Sequence, residues 1–238
     1  FILSSSCSIY GAANGSAPLT EGAPLNPVSA YAESKIRAEG GLCSLANDHF
    51  SPVFLRNATA YGISPRFRFD LVVNNLVGWA LATGNLQVKS DGSPWRPLIH
   101  VEDICCACVA ALEAPKEAIH AEAFNVGQDS ENFQVRDIVK TIRETIPSQV
   151  EFTGENQGDS RSYRVSFQKI KDRLPGFRPK WTLSDGIEEL YQALREIDLD
   201  LFRDRRFSRL DQLQYLMASD YLNTDLFWKG QPEVLARD

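Results

Sequence analysis

Tyr31-Ala32-Glu33-Ser34-Lys35 places a phenol and an ammonium four positions apart, about one helical turn, so both groups share a face of any helix that carries them. A cation one turn away favours the ionised phenol, and a phenol held that way can exchange a proton with an alcohol near neutral pH. Taken alone, the pair also describes an ordinary solvated helix surface, so the flanking sequence has to decide. Pro27 and Ser29 supply a helix start, and apolar residues recur at helical period from Val28 through Leu45. Upstream, Phe1-Ile2-Leu3 runs into Ser4-Ser5-Ser6, a short buried strand that ends in small hydroxyl residues where a sheet's carboxyl edge opens towards a ligand. Downstream, Pro52-Val53-Phe54-Leu55-Arg56 is the next strand, running out through Asn57 to Gly62. Strand, helix, strand predicts a βαβ unit, hence an α/β fold with a parallel sheet and a right-handed crossover.

The rest of the chain keeps that alternation. Leu71 to Thr83 reads as a helix ended by Gly84, Leu86 to Val88 as a strand, and Asp91 to Pro94 as a turn. Arg96 to His100 leads into a helix from Val101 to Ala114, and Ala123 to Gly127 is a further short strand. Val135 to Ile146 is an amphipathic helix, Val150 to Phe152 a minor strand, and Phe167 to Leu174 and Leu183 to Ile197 are helices. From Asp198 the character changes. Arg203, Arg205, Arg206 and Arg209 crowd beside aromatics before an apolar-periodic piece, Leu210 to Leu222. This is either a docking tail that covers a groove or a dimer surface, or a terminal helix pair.

Composition narrows the classes. A chain of 238 residues with 43% hydrophobic and 24% charged residues can bury a sizeable core. A net charge of -6 argues against a nucleic-acid surface, which needs a basic patch. Five cysteines without regular spacing fit a reducing, cytoplasmic setting better than a disulfide scaffold. No signal peptide and no apolar run of membrane-spanning length is visible, so no membrane partner is expected. Cys105, Cys106 and Cys108 invite a metal reading, but they fall in the apolar run Ile104 to Leu112 with no second ligand cluster; small buried helix residues, and no metal, are expected.

Four ordered segments now coincide: Ser4-Ser5-Ser6-Cys7-Ser8-Ile9-Tyr10-Gly11, the Tyr31/Lys35 pair, Arg96-Pro97-Leu98-Ile99-His100-Val101-Glu102-Asp103, and Phe124-Asn125-Val126-Gly127. Together they resemble the extended short-chain dehydrogenase/reductases, specifically the NAD-dependent nucleotide-sugar epimerase/dehydratase family, over residues 1 to about 195. The resemblance implies the C-terminal part of a Rossmann-like doubly wound parallel sheet (residues 1–62 and 97–127), a smaller α/β substrate-binding part (63–96 and 128–197) and a helical C-terminal tail (198–238). It implies NAD or NADP as cofactor, a nucleotide-diphosphate sugar as substrate, and a homodimer paired through the helix bearing the tyrosine. Ser6, 25 positions before Tyr31, would hydrogen-bond the reacting hydroxyl, Tyr31 would move its proton, and Lys35 would hold the cofactor ribose, with Tyr31 and Ser4 also binding the cofactor.

Other positions carry over residue by residue. Family dehydratases place an Asp-Glu pair directly after the catalytic hydroxyl; here Cys7-Ser8 stands instead, which disfavours a 4,6-dehydratase and leaves an epimerase or a 4-ketoreductase. Ser8 offers a second polar contact to the substrate, and Cys7 reads as a small residue packed under the sheet. Thr59 stands where many members have Asn, Asn74 and Asn75 look like a helix start that meets the diphosphate, and Arg96 matches the arginine of the family's R-D-F-I-H-V segment. Asp159-Ser160-Arg161-Ser162-Tyr163-Arg164 resembles a later D-x-R-x-Y segment, with Arg161 as a second phosphate ligand and Arg164 as an extra. His100 and Asp103 look structural. The family's G-x-x-G-x-x-G fingerprint is not found in residues 1–238 and is expected upstream, together with the residues that select NAD or NADP. Two rival readings stay open: the same fold acting on a steroid-like or aromatic alcohol, which two phosphate arginines disfavour, and a catalytically silent dinucleotide-sensing or scaffold protein, which the intact Ser6, Tyr31 and Lys35 disfavour.

Overall fold

The structure, a computed structural model, describes residues 1–12, 17–154 and 161–229. In chain order its elements are β1 (Ile2–Ser6), a 3-10 turn at Cys7–Tyr10, α1 (Ala30–Ser44), β2 (Val53–Asn57), β3 (Thr59–Tyr61) and α2 (Val72–Thr83). There follow β4 (Asn85–Val88), β5 (Trp95–His100), α3 (Val101–Glu113), α4 (Lys116–Ile119), β6 (Glu122–Val126), β7 (Asn132–Gln134), α5 (Val135–Thr145) and β8 (Gln149–Phe152). The chain closes with α6 (Gln168–Arg173), α7 (Leu183–Leu194), α8 (Leu199–Phe202) and α9 (Arg209–Ala218).

Helix α1 begins where Pro27 and Ser29 place it. Ser29 is extended and its side chain accepts the Ala32 N–H at 3.2 Å, satisfying one of the donors that a helix N-terminus leaves over. Strands β1, β2 and β6 form one parallel sheet with β2 in the middle, and all five residues of β2 are buried, as a central parallel strand requires. The chain leaves β2 at Ala58 and enters a second sheet, in which β3 pairs in parallel with β5 and β5 pairs antiparallel with β7. Strands β4 and β8 form a parallel pair of their own.

Two glycines are obligatory where these pieces turn. Gly11 has φ 63°, and a Cβ there would lie 1.7 Å from the Asn26 carbonyl oxygen; Gly62 has φ 103°, and a Cβ there would enter the His100 ring. The first core joins Ile9, Tyr10, Leu55 and Phe124 to the alanines of α3. The segment expected with the substrate part also contributes to it, through Tyr163, Val165, Phe167, Ile170 and Leu174. The second core packs α2, α5 and α7 through Val77, Ile138, Ile142, Ile187 and Leu190, and takes in Tyr61 and Leu98.

One expectation is corrected here. Cys105 and Cys106 are exposed and Cys108 is half-buried, because Ala107, Ala110 and Ala111 take the inner side of α3 and helical period turns the neighbouring cysteines outward. Among the described residues no group of three or more His, Cys, Asp or Glu could hold a metal ion, and no helix is long and apolar enough to cross a membrane.

Candidate active site

The sheet's carboxyl edge and the first turns of α1 come together through lysine. Lys35 donates from Nζ to the Ser4 carbonyl at 2.7 Å and lies 5.5 Å from the centre of the Tyr31 ring. That bond ties the face of α1 that bears Tyr31 to the strand end that bears Ser4 and Ser6. Tyr31 is 54% exposed, so its phenol is open to a ligand rather than spent in a core. Ser6 is half-buried; its Oγ accepts the Ser8 N–H at 3.1 Å and caps the 3-10 turn, which leaves the hydroxyl proton available as a donor.

Beneath these residues lies a buried polar network. Glu39, one turn beyond Lys35 on the same helix, accepts from Ser5 Oγ at 2.5 Å and from Arg56 Nε and Nη2 at 3.1 and 2.7 Å. Arg56 Nη1 donates to the Tyr10 hydroxyl at 3.2 Å and to the Glu21 carbonyl at 3.0 Å, and Tyr10 donates to Asn125 Oδ1 at 2.7 Å. Burial pushes the Tyr10 phenol well above its ordinary range despite the nearby guanidinium, so Tyr10 is a structural donor. Burial does the same to the Cys7 thiol, whose Sγ donates to the Arg56 carbonyl at 3.0 Å; a thiol held protonated and packed under the sheet is no acid or base for the site. Neither Glu39 nor Arg56 stands out as a site residue in the sequence, although Glu39 shares a face with Lys35 and a buried charge needs a partner.

Two buried polar atoms at the same edge have no hydrogen-bond partner: Ser8 Oγ and Asn57 Oδ1. Both atoms are closed to solvent, so leaving them unpaired costs stability.

The expected substrate residues divide. Arg96 Nη1, on β5, donates to the Trp95 carbonyl at 2.9 Å and to the Arg161 carbonyl, so the Arg96 side chain meets the backbone of the segment that carries Arg161. The same segment is bridged to the loop after β1 at Ala12 and Ser162, while Ser162 Oγ accepts the Trp95 N–H and the Arg164 guanidinium stacks on the Trp95 ring. Asp159 and Ser160 lie outside the described residues. Asn74 is buried, and its amide is spent on backbone: Oδ1 accepts the Gly62 N–H at 3.1 Å and Nδ2 donates to the Arg68 carbonyl at 3.0 Å. Asn75 and Thr59 are half-buried. His100 and Asp103 are buried and structural: His100 meets Glu189 and stacks on Trp181, and Asp103 accepts the Lys180 and Trp181 N–H groups.

A parallel sheet whose carboxyl edge meets the helix that follows its first strand is the fold of the short-chain dehydrogenase/reductase class. Within it, the chain belongs to the NAD dependent epimerase/dehydratase family, whose model matches residues 1–127. It is 28% identical to the UDP-glucose 4-epimerase of Bacillus subtilis strain 168 over 208 residues, which cover 79% of this chain and 59% of that protein. It is 26% identical to a dTDP-glucose 4,6-dehydratase of Xanthomonas campestris pv. campestris over 202 residues, 79% of this chain and 56% of that one. Among solved structures it resembles UDP-glucuronic acid 4-epimerase from Bacillus cereus, in complex with UDP-glucuronic acid and NAD, at a TM-score of 0.70 and 29% identity, covering 82% of this chain and 61% of that one. The chain thus spans about three fifths of the length of these relatives.

Proposed function

We propose that this chain supplies the catalytic edge and the substrate pocket of an NAD-dependent enzyme that acts on a nucleotide-diphosphate sugar through a keto-sugar intermediate, as an epimerase or a 4-ketoreductase. The observation that carries this is the 2.7 Å bond from Lys35 to the Ser4 carbonyl, which sets an accessible Tyr31 beside the hydroxyl-bearing end of β1.

NAD, when bound, supplies the acceptor and donor of hydride at the sugar carbon. Ser6 donates to the reacting sugar oxygen and fixes its position. Tyr31 takes the hydroxyl proton as the carbonyl forms and returns it on re-reduction, with the Lys35 ammonium alongside as a fixed charge. Ser4 lies on the cofactor side and Ser8 and Thr59 on the sugar side. Arg96 and Arg161 hold the diphosphate by charge-assisted bonds, joined by Asn75 rather than Asn74, whose amide is engaged with backbone. Cys7-Ser8, in the place where the family resemblance puts an acid/base pair for loss of water, supports epimerisation or ketoreduction over 4,6-dehydration. Two arginines on segments that meet, Arg96 and Arg161, favour a diphosphate over an apolar alcohol.

The same reading includes a homodimer and a cytoplasmic setting. Among the fifteen residues of α1 only Ala32 and Glu39 are buried, which suits a helix covered by another element or a second copy, and Cys43, Cys105 and Cys106 are exposed thiols. The test is Tyr31→Phe in the full-length protein: turnover of nucleotide sugars falls about 10²–10⁴-fold with NAD affinity nearly intact. Wild-type turnover in that variant would overturn the catalytic assignment.

A further inference from the structure

Helix α1 carries the Tyr31/Lys35 pair, yet little apolar packing holds it. Of its fifteen residues only Ala32 and Glu39 are buried, and Ile36 lies half-buried against the first core. Apolar contact is non-directional and does not stop a helix from sliding along a sheet. Hydrogen bonds, with their narrow range of length and angle, do. Two of them join α1 to neighbouring residues of β1: Lys35 Nζ donates to the Ser4 carbonyl, and Ser5 Oγ donates to Glu39 Oε1. The second grips β1 at the residue next to Ser6.

Of these two bonds, the one from Glu39 is the rigid one. Lys35 is half-buried on a flexible four-carbon stem. Both carboxylate oxygens of Glu39 are engaged, since Oε1 also accepts from Arg56 Nε and Oε2 accepts from Nη2 at 2.7 Å. Arg56 is fixed in turn, because its Nη1 donates to the Tyr10 hydroxyl and the Glu21 carbonyl. The carboxylate therefore stands at one point against β1 and β2, and the helix that bears it moves only by breaking buried, charged bonds. Glu39 lies about one turn beyond Lys35 and two beyond Tyr31 on the same face. We infer that Glu39 is a positioning residue for the reaction: by fixing how far α1 stands along β1, it sets the distance from the Tyr31 hydroxyl to Ser6. This rests on the reading of Tyr31 as the group that moves the proton.

The test measures kcat and KM of the full-length protein with NAD and three nucleotide-diphosphate sugars, UDP-glucose, UDP-glucuronic acid and dTDP-glucose. Ser5→Ala removes one bond of the clamp and leaves the Glu39/Arg56 pair in place. Glu39→Asp keeps the charge and shortens the arm by about 1.5 Å. The expected result is a kcat lower by about three- to ten-fold in Ser5→Ala and about 10–100-fold in Glu39→Asp, with KM within about two-fold, since the arginines that hold the diphosphate lie off α1. On a Tyr31→Phe background Ser5→Ala should cost less than about two-fold more, because the clamp acts through the Tyr31 hydroxyl. Where Glu39→Asp does not fold, Ser5→Ala decides. Unchanged kcat in Ser5→Ala, or a rise in KM alone, overturns the inference and leaves the role of Tyr31 standing. So does a Ser5→Ala loss that returns in full on the Tyr31→Phe background, which is the mark of a merely structural contact. Wild-type turnover in Tyr31→Phe, or a wild type that turns over none of the three sugars, overturns both the inference and the reading beneath it.

Discussion

Single residues here carry charge into places where it has to be matched. Glu39 and Arg56 are 6% and 7% exposed and bonded to each other, so removing one leaves the other buried without its counter-charge. Glu39→Ala is expected to cost about 3–5 kcal/mol in urea unfolding. Glu39→Gln keeps an acceptor for Ser5 and should cost less. Glu131 gives a second case. Burial pushes its carboxyl up to about 7, offset in part by the Leu183 N–H that it accepts and reinforced by Asp185 and Asp103. A carboxyl whose folded value is raised binds its proton more tightly when folded, so the stabilisation is complete below the ordinary range near 4.5 and is lost as pH rises through about 7. Glu131→Gln, neutral and still an acceptor, should therefore raise the thermal midpoint at pH 8, by up to roughly 3 kcal/mol of stability, and leave it nearly unchanged at pH 4.5. Melting curves of both proteins at the two pH values decide this. Neither residue was legible as special, because a lone Glu in a helix or loop reads as solvated until a partner from a distant segment appears.

At the scale of elements, α1 shows how far local signals reach. Its start was legible because capping is a short-range event, with Ser29 three residues before the N–H it accepts. Ser29→Ala should cost about 1 kcal/mol and loosen the turn that holds Tyr31. Faster amide exchange over residues 30–33, together with reduced turnover, is the expected outcome; unchanged exchange would separate the cap from the site. The short strands β3 and β7, three residues each, were not legible, since three residues carry too little period and gain their identity from pairing with β5. Cys105 and Cys106 went wrong for a related reason. A run of apolar residues shows that a helix is buried somewhere, and only the position of the sheet shows which side.

For the molecule as a whole, the tail beyond Asp198 is held by aromatic contacts. Phe202 packs against Phe69 and Trp79 with ring centres 4.9 and 5.0 Å apart, and Phe207 meets Phe69 at 5.4 Å. Past that anchor, α9 has no buried residue, and Leu226, Phe227 and Trp228 are exposed. Limited proteolysis should cut first between residues 208 and 229 and spare the body. Phe202→Ala should cost about 3–5 kcal/mol and open the whole tail from residue 198 to the protease. A cleavage pattern identical to wild type would show that the tail is held elsewhere.

By itself the sequence determined the α/β class, the helix that carries Tyr31 and Lys35, and the four motifs of the family, because period, capping and close spacing act within a few residues of one another. Only the tertiary structure decided that Lys35 reaches the Ser4 carbonyl, that Glu39 and Arg56 neutralise each other beneath the sheet's carboxyl edge, and that the Arg96 side chain meets the backbone at Arg161. Each of those contacts joins residues from different elements. Its energy depends on burial and geometry that pairing strands and packing helices create, and no local pattern encodes them.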